Sequence, residues 1–426
     1  MTTGTQGATI MHDNLMPVEL SGRNKMKNFL TPGVWVLILL ALNGLFFLGG
    51  RFLFGLGAVT NLNDQYPWGL WIGVDVAAGV ALAAGGFTSA TLAHIMHRDE
   101  FHVITRPALL TAMLGYSFVA FGVCVDIGRW YYIWHPMIYW NPNSALFEVG
   151  ICVTIYLNVL YIEFLPLVTE RFIGRIDLPG LLKQLNKPVD AMLRFMDRTL
   201  GKTMFIFVIA GTLLSTLHQS SLGTLMIIAG QKIHPLWQTP LLPLLFFLSA
   251  VSVGFPMVIF ESLIAARSFG LKPEMQVLSK LAHYISPLIG VYLLFKIGDM
   301  FVRQSFVHLQ TLGIESVMFI LELLLFIAPF FMLLFRRVVN SPRLLFVASS
   351  LVIAGVVINR VNNFIIAYHP PYATKPYFPS FGELSVTIGF IALLTLLYRA
   401  FVMIFPVISV EHSAITTKSP DQGGAA

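Results

Sequence analysis

Charge is scarce in this chain. Only 11% of its 426 residues are Asp, Glu, Lys or Arg, against about 25% in a soluble domain. Hydrophobic residues make up 56%, and the mean hydropathy is +0.76. Cysteine is nearly absent: Cys124 and Cys152 are the only two, and both fall inside apolar runs. No CxxC pair or four-cysteine set exists to hold an iron–sulfur cluster. If such a chain handles electrons, it must receive them from another protein. Long polar segments are missing too. The sizeable ones are Met1–Asn28 and Glu411–Ala426, which leaves no room for a soluble catalytic domain. The first residues are polar with both charge signs and lack the pattern of a secretory signal.

What is present is a series of apolar runs, each longer than the roughly 18 residues that mark a transmembrane helix. They lie at Val34–Leu53, Trp68–Ala93, Pro107–Trp130, Ala145–Leu167, Met204–Ala229, Leu241–Ala266, Leu281–Val302, Val317–Phe335, Leu344–Ile366 and Leu384–Val407. The expected fold is an all-α integral membrane protein of about ten spans. An even number of spans puts both termini on one side. On the opposite side fall Arg51, Arg129, Lys232, Lys296, Arg303, Arg360 and Lys375, leaving 20 of the 27 basic residues on the terminal side. By the positive-inside rule the termini are cytoplasmic. The net charge of +6 follows from that bias and from anionic headgroups, and is no argument for nucleic acid.

A weak repeat can be read at an offset of about 173 residues, and parallel repeats of this kind occur in membrane proteins. Pro67 matches Pro240, Asp126 matches Asp299, and SALFE (Ser144–Glu148) resembles SVMFILE (Ser316–Glu322). Chance similarity between apolar segments is the competing explanation. On the repeat the chain divides into a tail (1–33), a first flanking helix and outer loop (34–66), and two four-helix bundles (67–230 and 231–368). A loop with the last flanking helix (369–410) and a second tail (411–426) complete it. The connection Glu170–Lys202, with Pro179 and Pro188, has the length and basic character of an interfacial helix. The loops Tyr131–Ser144 and Tyr368–Glu383 are aromatic and proline-rich. They suit an interfacial aromatic belt or a floor on which a partner docks.

Ionisable residues inside a span are costly and point to function. Asp75 enters the second span, Asp126 and Arg129 end the third, Glu148 opens the fourth, and His218 sits near the middle of the fifth. All fall in the outer half of one bundle. Within TLHQSSLGTLM (Thr216–Met226), helical spacing puts Ser215, His218 and Ser221, with Gly211, in an arc of about 120°. A histidine there can hydrogen-bond a carbonyl and exchange its proton, while the serines serve either that ring or helix packing. Asp126 and Arg129 form either an ion pair or part of a pocket. Tyr116 needs a partner for its phenol, structural or ligand.

On the fourth span, Glu148, Cys152, Tyr156 and Glu163 share an arc of about 80°, with Glu148 and Glu163 about 22 Å apart. Such a face can carry a proton path that Glu261 extends; alternatively Glu163 reaches to the surface. A b-type haem needs two facing imidazoles. Only His218 lies deep in a span, with His94 and His283 near span ends, so haem is disfavoured.

Six stretches carry a family resemblance: FGLGAVTNLNDQYPWGLWI (Phe54–Ile72), RPALLTAMLGYS (Arg106–Ser117), DIGRW (Asp126–Trp130), SALFEVGICVTIY (Ser144–Tyr156), TLHQSSLGTLMIIAGQKIHPLWQTPLLPLLF (Thr216–Phe246) and YFPSFGELSVTIGF (Tyr377–Phe390). In order and over most of the chain, the sequence resembles the NrfD/polysulfide-reductase membrane-subunit family, in its HybB-like branch of [NiFe]-hydrogenases. The resemblance implies a quinone-reactive subunit of a respiratory oxidoreductase in the bacterial inner membrane. Such a subunit has no haem or iron–sulfur cluster of its own, although members are often named b-type cytochromes. The implied partners are a periplasmic, ferredoxin-like iron–sulfur subunit and the large and small hydrogenase subunits. The bound substrate would be menaquinone or ubiquinone, held near the periplasmic face. Carried over by position, His218 and Tyr116 would face the quinone, and Asp75, Asp126, Arg129 and Ser221 would line its pocket. His218, Glu148 and Asp75 would act in catalysis. Glu148, Tyr156, Glu163, Glu261 and Arg106 would move protons. The same sequence also suits the membrane module of another respiratory complex, linked to cytochrome c, sulfur compounds or formate. A secondary transporter, or a structural anchor for a partner enzyme, is a different class of reading.

Overall fold

A computed structural model describes residues 29–407 apart from 97, 178 and 312; the tail segments Met1–Asn28 and Glu411–Ala426 lie outside the described residues. Among the described residues, ten helices are long and apolar enough to cross a membrane, and the chain is a multi-pass integral membrane protein. In chain order they are α1 (Pro32–Phe54), α2 (Trp71–Ala93), α3 (His102–Asp126), α4 (Ala145–Phe172) and α5 (Asn186–Ala229), followed by α6 (Leu242–Phe269), α7 (Met275–Val302), α8 (Ile314–Met332), α9 (Pro342–Ile366) and α10 (Phe381–Ile404). Strands are absent among the described residues; Ile233 and Tyr368 form an isolated antiparallel bridge.

Local chemistry starts these helices where the apolar runs begin. Proline occupies the first turn of α1, α6 and α9, where its missing N–H is not needed. Ser144 accepts from the Phe147 N–H at the start of α4. At α10, Ser380 and Glu383 close a reciprocal capping box, satisfying two backbone donors at the helix entrance.

Helices α2–α5 pack as one group and α6–α9 as another, joined through α2, α5, α6 and α9, while α1 and α10 lie together against α2 and α3. The α1–α10 crossing is glycine on glycine: a Cβ on Gly44 would stand 2.7 Å from the Gly389 Cα. Backbones meet there at a distance that only glycine permits. Side chains on the outside are apolar, with Phe46 75% and Val302 84% exposed, as a lipid-facing surface requires.

Two expectations change. The Glu170–Lys202 connection holds no separate interfacial helix. After a short turn at Gly180–Leu185, the chain runs without interruption from Asn186 to Ala229, about 66 Å. That exceeds the roughly 30 Å of bilayer core, so α5 projects on the terminal side, carrying Lys187, Arg194 and Arg198. Secondly, Arg51, Lys296 and Arg360 are buried between helices and do not mark a loop. Removing them from the opposite side sharpens the charge asymmetry.

The second bundle encloses a polar knot. The Glu322 carboxylate is fully buried and accepts from Trp237 (2.9 Å), Asn362 (2.8 Å), Asn359 (2.7 Å), Tyr292 (3.3 Å) and the Lys296 ammonium. Beside it, Arg360 donates to the Phe246 carbonyl and to Ser249 Oγ and lies over the Phe246 ring at 3.8 Å.

Candidate functional site

The polar stripe on α5 faces inward. Gly211, Ser215, His218 and Ser221 are all buried, with Gln219 beside them. His218 is fully buried and neither ring nitrogen has a hydrogen-bond partner. Leaving buried polar groups unpaired costs about 1–3 kcal/mol each, so an orphaned ring in a packed bundle asks for an explanation. The ring beside it is Tyr116 of α3, at 5.7 Å between centroids. Tyr116 in turn meets Tyr156 of α4 edge-on at 4.5 Å, and its hydroxyl lies 3.4 Å from Ser215 Oγ. On the distal side of this group, Ser221 donates to Glu148 Oε1 at 2.6 Å. On the terminal side, the Glu163 carboxylate fills the space above Gly211: a Cβ there would come within 2.8 Å of Oε1. Glycine at 211 is therefore what lets the acid lie against α5. The seam between α4 and α5 thus brings together Glu148, Ser221, His218, Tyr116, Ser215, Tyr156 and Glu163.

Gln219, not singled out by the sequence, fixes the height of this stripe. Helix α2 breaks at Ala83–Ala84, where the Ala84 N–H turns to the Ala81 carbonyl. The Val80 carbonyl loses its regular partner, and Gln219 Nε2 donates to it at 2.8 Å. A lone Gln beside a lone His carries no spacing signal; the run of small residues Ala83, Ala84, Gly85 and Gly86 was the available hint of a break.

A second cluster lies between α1, α2, α3 and α10. Asp75 sits in a π-helical stretch, Trp71–Ala78, a geometry common at functional sites, and accepts from Thr387 Oγ1 at 2.8 Å. Gly122 of α3 packs against its Cβ. Asp126 lies near enough to Asp75 for their charges to interact, with its Oδ1 buried and unbonded. The cation beside Asp126 is Arg51, whose guanidinium also donates to the Val125 (2.5 Å) and Ile127 (2.6 Å) carbonyls at the end of α3. Buried Glu383 closes the cluster toward the loops, accepting from the Asn61 N–H at 3.1 Å and from Tyr377. Burial, reinforced by the Glu383 carboxylate, holds the Tyr377 phenol well above its ordinary pKa.

Other expected residues fall elsewhere. Arg129 lies exposed beyond the end of α3 and does not replace Arg51 beside Asp126. Arg106 pairs with Glu170 at 3.0 Å and donates to the Pro406 carbonyl, tying α3, α4 and the end of α10 at the terminal face. Glu261 lies off the α4–α5 seam, in a separate cavity lined by α1, α3, α6 and α10. His283 is exposed, with Nδ1 2.7 Å from the Ser279 carbonyl; the His94 side chain lies outside the described residues.

Both aromatic loops present rings to the surface. Trp130, Tyr131, Trp134, Tyr139 and Trp140 stand exposed on the distal face, as do Tyr372 and Phe378 of the second loop, whose first residue Tyr368 is instead buried, edgewise to Tyr66 and beside Trp68.

Residues 58–368 match the family model described as "Polysulphide reductase, NrfD". The chain belongs to the NrfD family. Among NrfD-family relatives, the "Probable Ni/Fe-hydrogenase 2 b-type cytochrome subunit" of Escherichia coli K12 is 35% identical over 367 residues, covering 84% of this chain and 88% of the relative. The "Menaquinone reductase, integral membrane subunit" of Nitratidesulfovibrio vulgaris is 30% identical over 381 residues, covering 83% and 86%. A selenate reductase subunit of Mesobacillus selenatarsenatis is 25% identical over 393 residues, covering 84% and 90%. The NrfD match begins just before α2 and ends just after α9, so it spans both bundles and leaves α1 and α10 outside.

Proposed function

We propose that this chain is the quinone-reactive membrane subunit of a respiratory oxidoreductase, of the periplasmic [NiFe]-hydrogenase type. The observation that carries the reading is His218, fully buried on the α5 stripe with both ring nitrogens unbonded. A neutral imidazole offers one donor and one acceptor, which matches a carbonyl that is to be protonated. Reducing a quinone to a quinol takes two electrons and two protons. The electrons come from an iron–sulfur partner seated on the distal, periplasmic face, for which the exposed aromatics Trp130–Trp140 provide the floor. The protons are this chain's task. His218 holds one at the carbonyl, and Tyr116 orients the head. Glu163, Tyr156 and Ser215 form the approach from the cytoplasmic side, with Glu148 and Ser221 at the periplasmic end. Asp75 and Asp126, in the neighbouring cluster between α1, α2, α3 and α10, would face the quinone from its other side, and Arg51 offsets the Asp126 charge.

The names of the relatives support this assignment, and they also favour a second reading. A menaquinone-reductase subunit and a selenate-reductase subunit lie in the same family as a hydrogenase subunit, so the donor complex is open to exchange while the quinone chemistry stays. Purification from membranes in mild detergent with mass spectrometry of the co-purifying chains separates these: hydrogenase subunits support the first reading, another redox enzyme the second. A chain that comes alone favours a transporter.

The residue-level test is His218→Ala. Quinone-linked electron transfer should be lost while the complex still assembles; unchanged turnover would remove His218 from the site.

A further inference from the structure

On the terminal side, away from the α4–α5 seam, a cavity of 310 Å³ opens between α1, α3, α6 and α10. Its polar end is made by Glu261, Thr111 and Tyr398. Both Glu261 carboxylate oxygens, Thr111 Oγ1 and the Tyr398 hydroxyl are shielded from solvent, and none has a hydrogen-bond partner. The two hydroxyls stand close enough to interact with the Glu261 carboxyl, but no bond of normal length and angle closes between them. The walls are apolar: Val34 and Leu37 of α1, Phe260 and Ile264 of α6, and Leu394 of α10. At the rim, Arg399 donates to Ser268 at 2.7 Å and lies over the Phe269 ring.

Four orphaned polar atoms converging on one void are rare in a native interior. A file of water would satisfy them, but greasy walls hold water poorly. A cavity of a few hundred Å³ with apolar walls and a few convergent polar groups is the usual form of a small-molecule site. The cavity is also distinct from the His218 group. Thr111 is five positions before Tyr116 on α3, about 140° round the helix and about 7.5 Å along it.

We propose that this cavity binds an apolar-tailed molecule with a carbonyl head in the leaflet on the terminal side. The tail lies along Val34, Leu37 and Ile264, and the head accepts hydrogen bonds from the Tyr398 and Thr111 hydroxyls beside the Glu261 carboxyl. Two membrane components share that chemistry: the ring of an isoprenoid quinone and the ester of a phospholipid. Glu261 is eight residues before the end of α6, about 12 Å below it, which places the donors beneath the ester level and favours the ring. The site rests on its own residues and stands whether or not His218 serves quinone chemistry.

The test is photolabelling of the detergent-purified full chain, or of its complex, with an azidoquinone, mapped by peptide mass spectrometry. Saturable labelling of α6 and α10 around Met257–Ala265 and Leu394–Arg399 is expected. Displacement by excess unlabelled quinone identifies the ring as the ligand, and displacement by excess phospholipid alone identifies the ester. Both support the site. Glu261→Leu should weaken labelling there about tenfold; it removes an unpaired buried acid and is expected to fold. Tyr398→Phe, which deletes one hydroxyl, should weaken it several-fold and serves if Glu261→Leu fails to assemble. Labelling that does not saturate, that neither competitor displaces, or that Tyr398→Phe leaves unchanged would overturn the proposal.

Discussion

Glu322 and His218, one in each bundle, are opposite cases of buried polarity. In α6–α9, Glu322 is met by five donors, among them Lys296. In α2–α5, His218 has no partner at either nitrogen, and Asp126 keeps a buried oxygen unbonded. Asp126 and Asp299, near the ends of α3 and α7, differ as well. Asp299 has its cation four residues on, in Arg303 at 2.7 Å, whereas Asp126 has Arg51 from a helix outside its bundle. A saturated knot specifies one packing and offers nothing to a ligand. An unsaturated one is tolerated only if something else completes it. The same ingredients therefore close the Glu322 carboxylate and leave His218 open; elsewhere in α6–α9, Glu261 is open too.

That contrast can be broken first at Lys296. Lys296→Met strips a buried carboxylate of its counter-charge and should cost about 3–5 kcal/mol, seen as a loss of assembled protein and a lower Tm. His218→Leu is the opposite case: it fills the same volume with no orphaned nitrogen, so Tm should hold or rise while quinone turnover falls. A fall in Tm for His218→Leu as large as for Lys296→Met would erase the distinction. Next in size is Gln219→Leu. The Val80 carbonyl at the break in α2 would lose its donor, at about 1–3 kcal/mol, and hydrogen exchange should rise locally in α2. Gln219→Glu, which keeps the length but not the donor, should do the same.

The smallest effect concerns the loops over the second bundle. His234 lies among His308 (5.7 Å), His369 (6.3 Å) and Glu315, and burial sets its pKa below the ordinary value, with Glu315 opposing. An unfolded His takes up its proton near pH 6.5 while His234 in the folded loops does not. Stability from this residue is full above that pH and declines as pH falls below it. Amide protection at Ile233–Trp237, corrected for the intrinsic pH dependence of exchange, should therefore fall below about pH 6.5, and His234→Gln should remove the dependence.

The spans were legible because length and hydropathy suffice for them, and their observed ends shift by only a few residues from the apolar runs. Helix α5 was the exception. Its first part is polar and amphipathic, and hydropathy cannot tell that Asn186–Thr203 continues the span. Within the site, His218, Ser215, Ser221 and Glu148 could be read as rare polar groups on helical faces, and the structure places them together. Arg51 could not. At the end of α1 it looks like a topology marker, and only the packing of α1 on α3 brings it to the Val125 carbonyl. Thr387 and Glu383 were hidden for a related reason. Ser380-Phe-Gly-Glu383 announces a helix start, but nothing local shows that Glu383 also takes the Tyr377 phenol. Contacts of α10 with α2 and with the loop after α1 join residues more than 300 positions apart, beyond the reach of any periodicity.

The π-helical stretch at Trp71–Ala78 gives α2 a rotational phase. A wider turn accommodates about one extra residue, so the side chains after it are rotated by about 100° from where an unbroken α-helix would put them. Removing a single residue between Trp71 and Ala78 would restore regular winding at the expense of that offset. Asp75 would swing away from Thr387, or the break that frees the Val80 carbonyl would turn away from Gln219. The acid cluster and the histidine stripe are thus set against each other by a count of residues, and lineages that alter the count must re-aim one or the other.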